Sequence, residues 1–97
     1  METQEATVTQ SYSVSIVTKY IGATNNRGSR IRVQRGDGGN TEETRKTYTW
    51  DYALDPNENH AQAIQKYLDH MGWGGQWVTG STETGYVAVQ VPQGGNQ

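Results

Sequence analysis

Polar and apolar residues alternate through much of this chain, and the alternation predicts most of its elements. Tyr12, Val14, Ile16, Thr18 and Tyr20 fall on one side of an extended backbone, with Ser13, Ser15, Val17 and Lys19 on the other. That is a first strand with one face better buried than the other. Residues 23–29, Ala-Thr-Asn-Asn-Arg-Gly-Ser, tolerate turns, and beyond them Ile31 and Val33 alternate with Arg30, Arg32 and Gln34. A second strand therefore shows aliphatic side chains to one side and arginines to the other. Gly36-Asp37-Gly38-Gly39-Asn40 is a dense turn signal, so a hairpin leads into a third strand in which Lys46, Tyr48, Trp50 and Tyr52 alternate with Arg45, Thr47 and Thr49.

The period then changes. Asp55 fits an N-cap, Pro56 the first helical position, and Glu58 the third residue of a capping box. Ala61, Ile64, Leu68 and Met71 recur at helical spacing with Tyr67 beside them, while Gln62, Gln65, Lys66 and Asp69 face away. Gly72 is placed to end this helix in a left-handed conformation, with Trp73 folding back on it. Trp77-Val78 offers a short further strand before a β-favouring closing segment, residues 86–91. The predicted order β-β-β-α-β is an α+β fold, a mostly antiparallel sheet of about four strands with one helix packed on one face. The other face is left for solvent or a partner.

Composition sharpens this picture. Only fourteen of 97 residues are Leu, Ile, Val or Phe, yet nine Tyr and Trp supply alternative core material, and a net charge of −2 argues against disorder. The length admits one domain, assigned to residues 11–91 between polar tails at residues 1–10 and 92–97. Without cysteine the fold is expected to hold by packing alone, with neither disulfides nor thiolate chemistry. No apolar run reaches membrane-spanning length and the first ten residues carry Glu2 and Glu5, so a soluble cytoplasmic protein without membrane contact is expected.

Charge is unevenly spread. Seven of the eight basic residues (Lys19, Arg27, Arg30, Arg32, Arg35, Arg45, Lys46) lie between positions 19 and 46, opposed there by Asp37, Glu42 and Glu43. If the first three strands are neighbours, Arg30, Arg32 and Arg45 share a face, and guanidiniums so grouped favour phosphate. Such arginines also occur as solvated cross-strand partners, so the pattern has a structural reading as well. The connection containing Thr24, Asn25, Asn26, Arg27, Gly28, Ser29 and Arg30 concentrates hydroxyls, carboxamides and guanidiniums about a glycine, the makings of an oxyanion nest or of an Asn-stabilised turn. Most aromatics are expected inside; Tyr20 and Tyr52, near strand ends, are the candidates for exposed rings able to stack a base.

Catalytic groupings are sparse. His60 and His70 are too far apart on the helix to share a metal, and each reads as a surface or capping histidine, His60 beside first-turn carboxylates and His70 at the helix C-terminus. No nucleophile motif, phosphate loop or calcium loop appears, so no enzyme, cofactor or metal is expected.

The stretch Tyr20-Ile21-Gly22-Ala23-Thr24-Asn25-Asn26-Arg27-Gly28-Ser29-Arg30-Ile31, followed by Trp50-Asp51-Tyr52-Ala53-Leu54, Asn59-His60, Gly72-Trp73 and Gly85-Tyr86-Val87, resembles a group of small uncharacterised proteins carried by bacteriophages, prophages and plasmids. The group's usual Tyr-Asp-His-x-Leu segment is Trp50-Asp51-Tyr52-Ala53-Leu54 here. The resemblance implies a phage-type accessory protein, acting in the host cytoplasm, that disarms a host defence by binding. With the basic patch, the expected partner is a nucleotide or a nucleic-acid-linked defence component. Two alternatives stand beside it: a protein inhibitor of a host factor using the uncovered sheet face, and a single-stranded nucleic-acid binder. A homodimer would also serve a short chain with an exposed strand edge.

Overall fold

The computed structural model of the chain describes residues 14–91 together with Ala6. The two expected tails, Ala6 apart, and the start of the expected first strand, including Tyr12, lie outside the described residues. Within them the order is β1 (Ile16–Ile21), β2 (Arg30–Arg35), β3 (Arg45–Thr49), α1 (Pro56–Met71), β4 (Trp77–Ser81) and β5 (Tyr86–Gln90). All pairings are antiparallel, in the spatial order β3-β2-β1-β5-β4. The architecture is thus α+β as expected, but with five strands. Trp77-Val78 begins a full hairpin strand that pairs residue for residue with β5, a pairing only tertiary structure could supply for so short a segment.

Side chains directly opposite one another on paired strands share a face. The registers therefore put Ile16, Thr18, Tyr20, Ile31, Val33, Tyr48, Tyr86 and Ala88 on the side that meets α1. The core is built there: Ile16, Ile31, Val33 and Ala88 from the sheet meet Ala63, Ile64, Tyr67 and Leu68 from the helix, and Tyr48, Trp50, Met71, Trp73, Trp77 and Tyr86 pack around them. Aromatics do replace the missing aliphatics. The helix face is rotated from the expected one, since Asn59, His60, Ala63, Ile64, Tyr67 and Leu68 are buried and Ala61 is exposed.

The helix boundaries follow the sequence closely. Asp55 Oδ1 accepts the Glu58 N–H at 2.8 Å, Glu58 Oε1 accepts the Asp55 N–H at 3.1 Å, and Pro56 opens the first turn. Gly72, at φ 73°, closes the last turn in the left-handed region. β3 is shorter than expected, because Trp50 turns inward and residues 52–54 form a turn. Buried Asn59 imposes that turn: its Oδ1 accepts the Asp51 N–H at 2.8 Å, and its Nδ2 donates to the Asp51, Leu54 and Asp55 carbonyls at 2.9, 3.2 and 3.2 Å.

Candidate functional site

One helix cannot cover both faces of a sheet, and the face away from α1 carries Val17, Lys19 and Ile21 from β1, Arg30, Arg32 and Gln34 from β2, and Arg45, Thr47 and Thr49 from β3. Lys19 lies directly opposite Arg32, and Arg45 opposite Gln34. Strand geometry sets Arg30 and Arg32 about 7 Å apart along β2 and their neighbours about 5 Å away across the sheet. No Asp or Glu is on these strands, and among the described residues the ion pair is Arg35 with Asp37 at 2.7 Å. Lys19, Arg30, Arg32 and Arg45 thus form a cationic face without carboxylate partners. A like-charge pair directly across strands is ordinarily unfavourable, and a bound anion relieves it.

Arg45 Nε donates to Gln34 Oε1 at 3.0 Å, and Arg30 Nη1 donates to the Gly28 carbonyl at 3.3 Å. These neutral contacts orient the guanidiniums and leave their charge available. Arg27 and Arg30, with Gly28, Ser29 and Thr49, line a depression of about 250 Å³ where this face meets the 22–29 connection. Arg35 lies apart: its position opposite Ile16 places it on the helix side, and the Asp37 carboxylate raises the guanidinium pKa while its own falls below the ordinary carboxylate value.

The connection itself differs from an oxyanion nest. Thr24 Oγ1 accepts the Asn26 and Arg27 N–H groups at 3.4 and 3.1 Å, and the Thr24 N–H donates to the Arg27 carbonyl at 2.7 Å. The Thr24, Asn26 and Arg27 N–H groups are thus bonded within the turn. Gly28 is not among the glycines with positive φ, so it supplies none of the left-handed geometry a nest requires. Ser29 is buried, its hydroxyl bonded to that of Tyr20 at 2.9 Å and its carbonyl accepting the Trp50 N–H at 3.0 Å. Asn25 and Asn26 are exposed on the connection. Of the residues singled out in sequence, the structure brings Arg27, Arg30, Arg32 and Arg45 to one surface, gives Thr24 and Ser29 structural bonds, and adds Lys19.

Tyr20 and Tyr52 are exposed, at 44% and 74%, but neither projects from the cationic face. Tyr20 lies opposite Ile31 on the helix side, edge-on to Trp50 at 4.9 Å, and Tyr52 lies in the turn after β3.

His60 corrects the expectation of a surface histidine. It is buried, with Nδ1 2.7 Å from Thr18 Oγ1, its ring stacked on Tyr86 at 4.8 Å and edge-on to Trp50 at 6.1 Å. Burial lowers its pKa, favouring the neutral ring. Thr18 Oγ1 also accepts the Tyr86 N–H at 2.9 Å, so one hydroxyl joins β1, β5 and α1. A neutral imidazole that accepts from Thr18 at Nδ1 carries its proton on Nε2. The helical period alone could have flagged His60, since it shares a face with Ile64 and Tyr67. His70 is exposed in the last turn, as expected.

No family model, curated protein or solved structure matches this chain. Among the described residues no helix is long and apolar enough to cross a membrane, and no three His, Asp or Glu side chains gather as metal ligands.

Proposed function

We propose that this protein is a phage-type accessory protein that acts stoichiometrically, without turnover, by holding a phosphate-bearing ligand on the open face of its sheet. The ligand class is a nucleotide or the nucleic-acid-linked component of a host defence. Arg30, Arg32 and Arg45 grip the phosphates with Lys19, and Arg27 closes the rim of the depression beside them. The observation that carries this reading is Lys19 opposite Arg32 on a face with no carboxylate. In a molecule of net charge −2, such a grouping gives local attraction without general affinity for polyanions.

Calorimetric titration with nucleoside triphosphates and short oligonucleotides tests it. Saturable binding at low salt is expected, weakened at least about tenfold by Arg30→Glu with Arg32→Glu and unchanged by Arg35→Gln, whose guanidinium is on the other side. No saturable response, or equal loss in the Arg35 variant, would overturn the proposal.

A second reading is a protein inhibitor that docks on the same face. It is favoured by Val78 and Val89, 53% and 40% exposed, which extend that face with apolar surface at its β5–β4 end. Capture of a host protein that survives nuclease treatment would select it. The single-strand reading is the weakest, because none of the strand positions on the open face is aromatic and bases there lack a stacking platform.

A further inference from the structure

The two edges of the described sheet are unlike. β3 presents Arg45 and Lys46, and cations on an edge repel a second strand of the same kind. β4, Trp-Val-Thr-Gly-Ser, has no charge and no proline, and its hairpin contains the exposed Val78 and Val89.

The phase of the ladder shows which β4 groups face outward. The Val91 N–H donates to the Gln76 carbonyl and the Thr82 N–H donates to the Gly85 carbonyl, both at 2.7 Å. Hydrogen-bonded pairs alternate along an antiparallel ladder, so Val78 with Val89 and Gly80 with Val87 are the bonded pairs between those ends. Trp77, Thr79 and Ser81 therefore turn their N–H and C=O groups away from β5, toward the open edge.

We propose that β4 pairs with β4 of a second copy of this chain, antiparallel about a two-fold axis at Thr79. In this register all three outward residues are used, giving about six backbone hydrogen bonds. Thr79 meets the partner's Thr79, Trp77 meets the partner's Ser81, and Val78 meets the partner's Gly80. Trp77 and Val78 each face a small residue. A centre at Trp77 or Ser81 leaves outward groups unused, and a centre at Trp77 sets two indoles against each other. This self-complementarity, with the absence of charge, marks a second copy as the occupant, because an isologous contact requires one strand to fit itself. The axis runs perpendicular to the sheet, so both helices lie on one side and both cationic areas on the other, at opposite ends of a continuous sheet. The dimer does not depend on the ligand proposed above.

Sedimentation velocity of the full chain over roughly a hundredfold concentration range tests it. A reversible monomer–dimer equilibrium is expected, since an edge contact is smaller than the ~1,600 Å² of a standard interface. Thr79→Pro removes an outward N–H without touching the β5 ladder and is expected to be monomeric with an unchanged circular dichroism spectrum. Thr79→Cys introduces the chain's one cysteine and should give a disulfide-linked dimer on oxidation, because bonded antiparallel pairs place Cα atoms about 5.5 Å apart. Thr47→Cys, on the opposite edge strand, should remain uncrosslinked. A monomer throughout the range, a dimer that persists in folded Thr79→Pro, or equal crosslinking at Thr47 would overturn the proposal.

Discussion

The Thr18 hydroxyl ties three elements together. The regular pairing between β1 and β5 is two residue pairs long, Ile16 with Ala88 and Val17 with Val87. Beyond it the Thr18 hydroxyl takes the Tyr86 N–H while also meeting His60. Gly85 passes so close to the Thr18 carbonyl that a Cβ there would collide with it. Thr18→Val keeps the shape but strands a backbone donor and an imidazole in the interior, a loss of about 1–3 kcal/mol. Chemical denaturation should show this loss, and Thr18→Ser should recover most of it.

The same residue pair gives a pH dependence. Folding lowers the pKa of His60 by desolvation, so below the ordinary histidine value of about 6.5 the unfolded chain binds the proton that the folded chain resists. His60 thus contributes no penalty above that value. Its penalty grows as pH falls through it and levels off below the folded-state pKa. Melting temperatures measured from pH 8 to 5 are expected to fall in the wild type, and to fall less in a His60→Gln variant that still folds.

At the scale of elements, β1 and β2 join an apolar side that packs and a cationic side that does not. Their register makes Lys19 and Arg32 face each other. The pair opposes folding in the unliganded protein, and a neutral partner for Arg32 should relieve that strain. Lys19→Thr is therefore expected to raise unliganded stability by a few tenths of a kcal/mol, up to about 1, while weakening phosphate binding. A solvated face with no ligand role would show the first effect without the second. β2 was legible in sequence because its alternation is strict, and α1 because its caps are local chemistry. The span of β3 was not, since Asn59, eight residues beyond Asp51, pulls the chain out of the sheet just after Thr49.

For the whole molecule, charge separation decides how binding depends on salt. Lys19, Arg30, Arg32 and Arg45 share one face of an acidic chain, so binding through them should weaken steeply as salt rises, with each removed contact lowering the slope by about one. Arg35, held by Asp37 on the helix side, should leave the slope unchanged.

Alternation, caps and turn residues determined the order of elements through β3 and α1, the division of β2 into an aliphatic and an arginine side, and the use of aromatics as core, because each depends on neighbours within a few positions. Only the tertiary structure decided that β4 is a full strand paired along its length with β5, that Lys19 joins the arginines, that His60 is buried against Thr18 and Tyr86, and that the Thr24 side chain takes the Asn26 and Arg27 N–H groups. Those outcomes rest on strand register and on contacts between distant segments, which a local pattern does not encode.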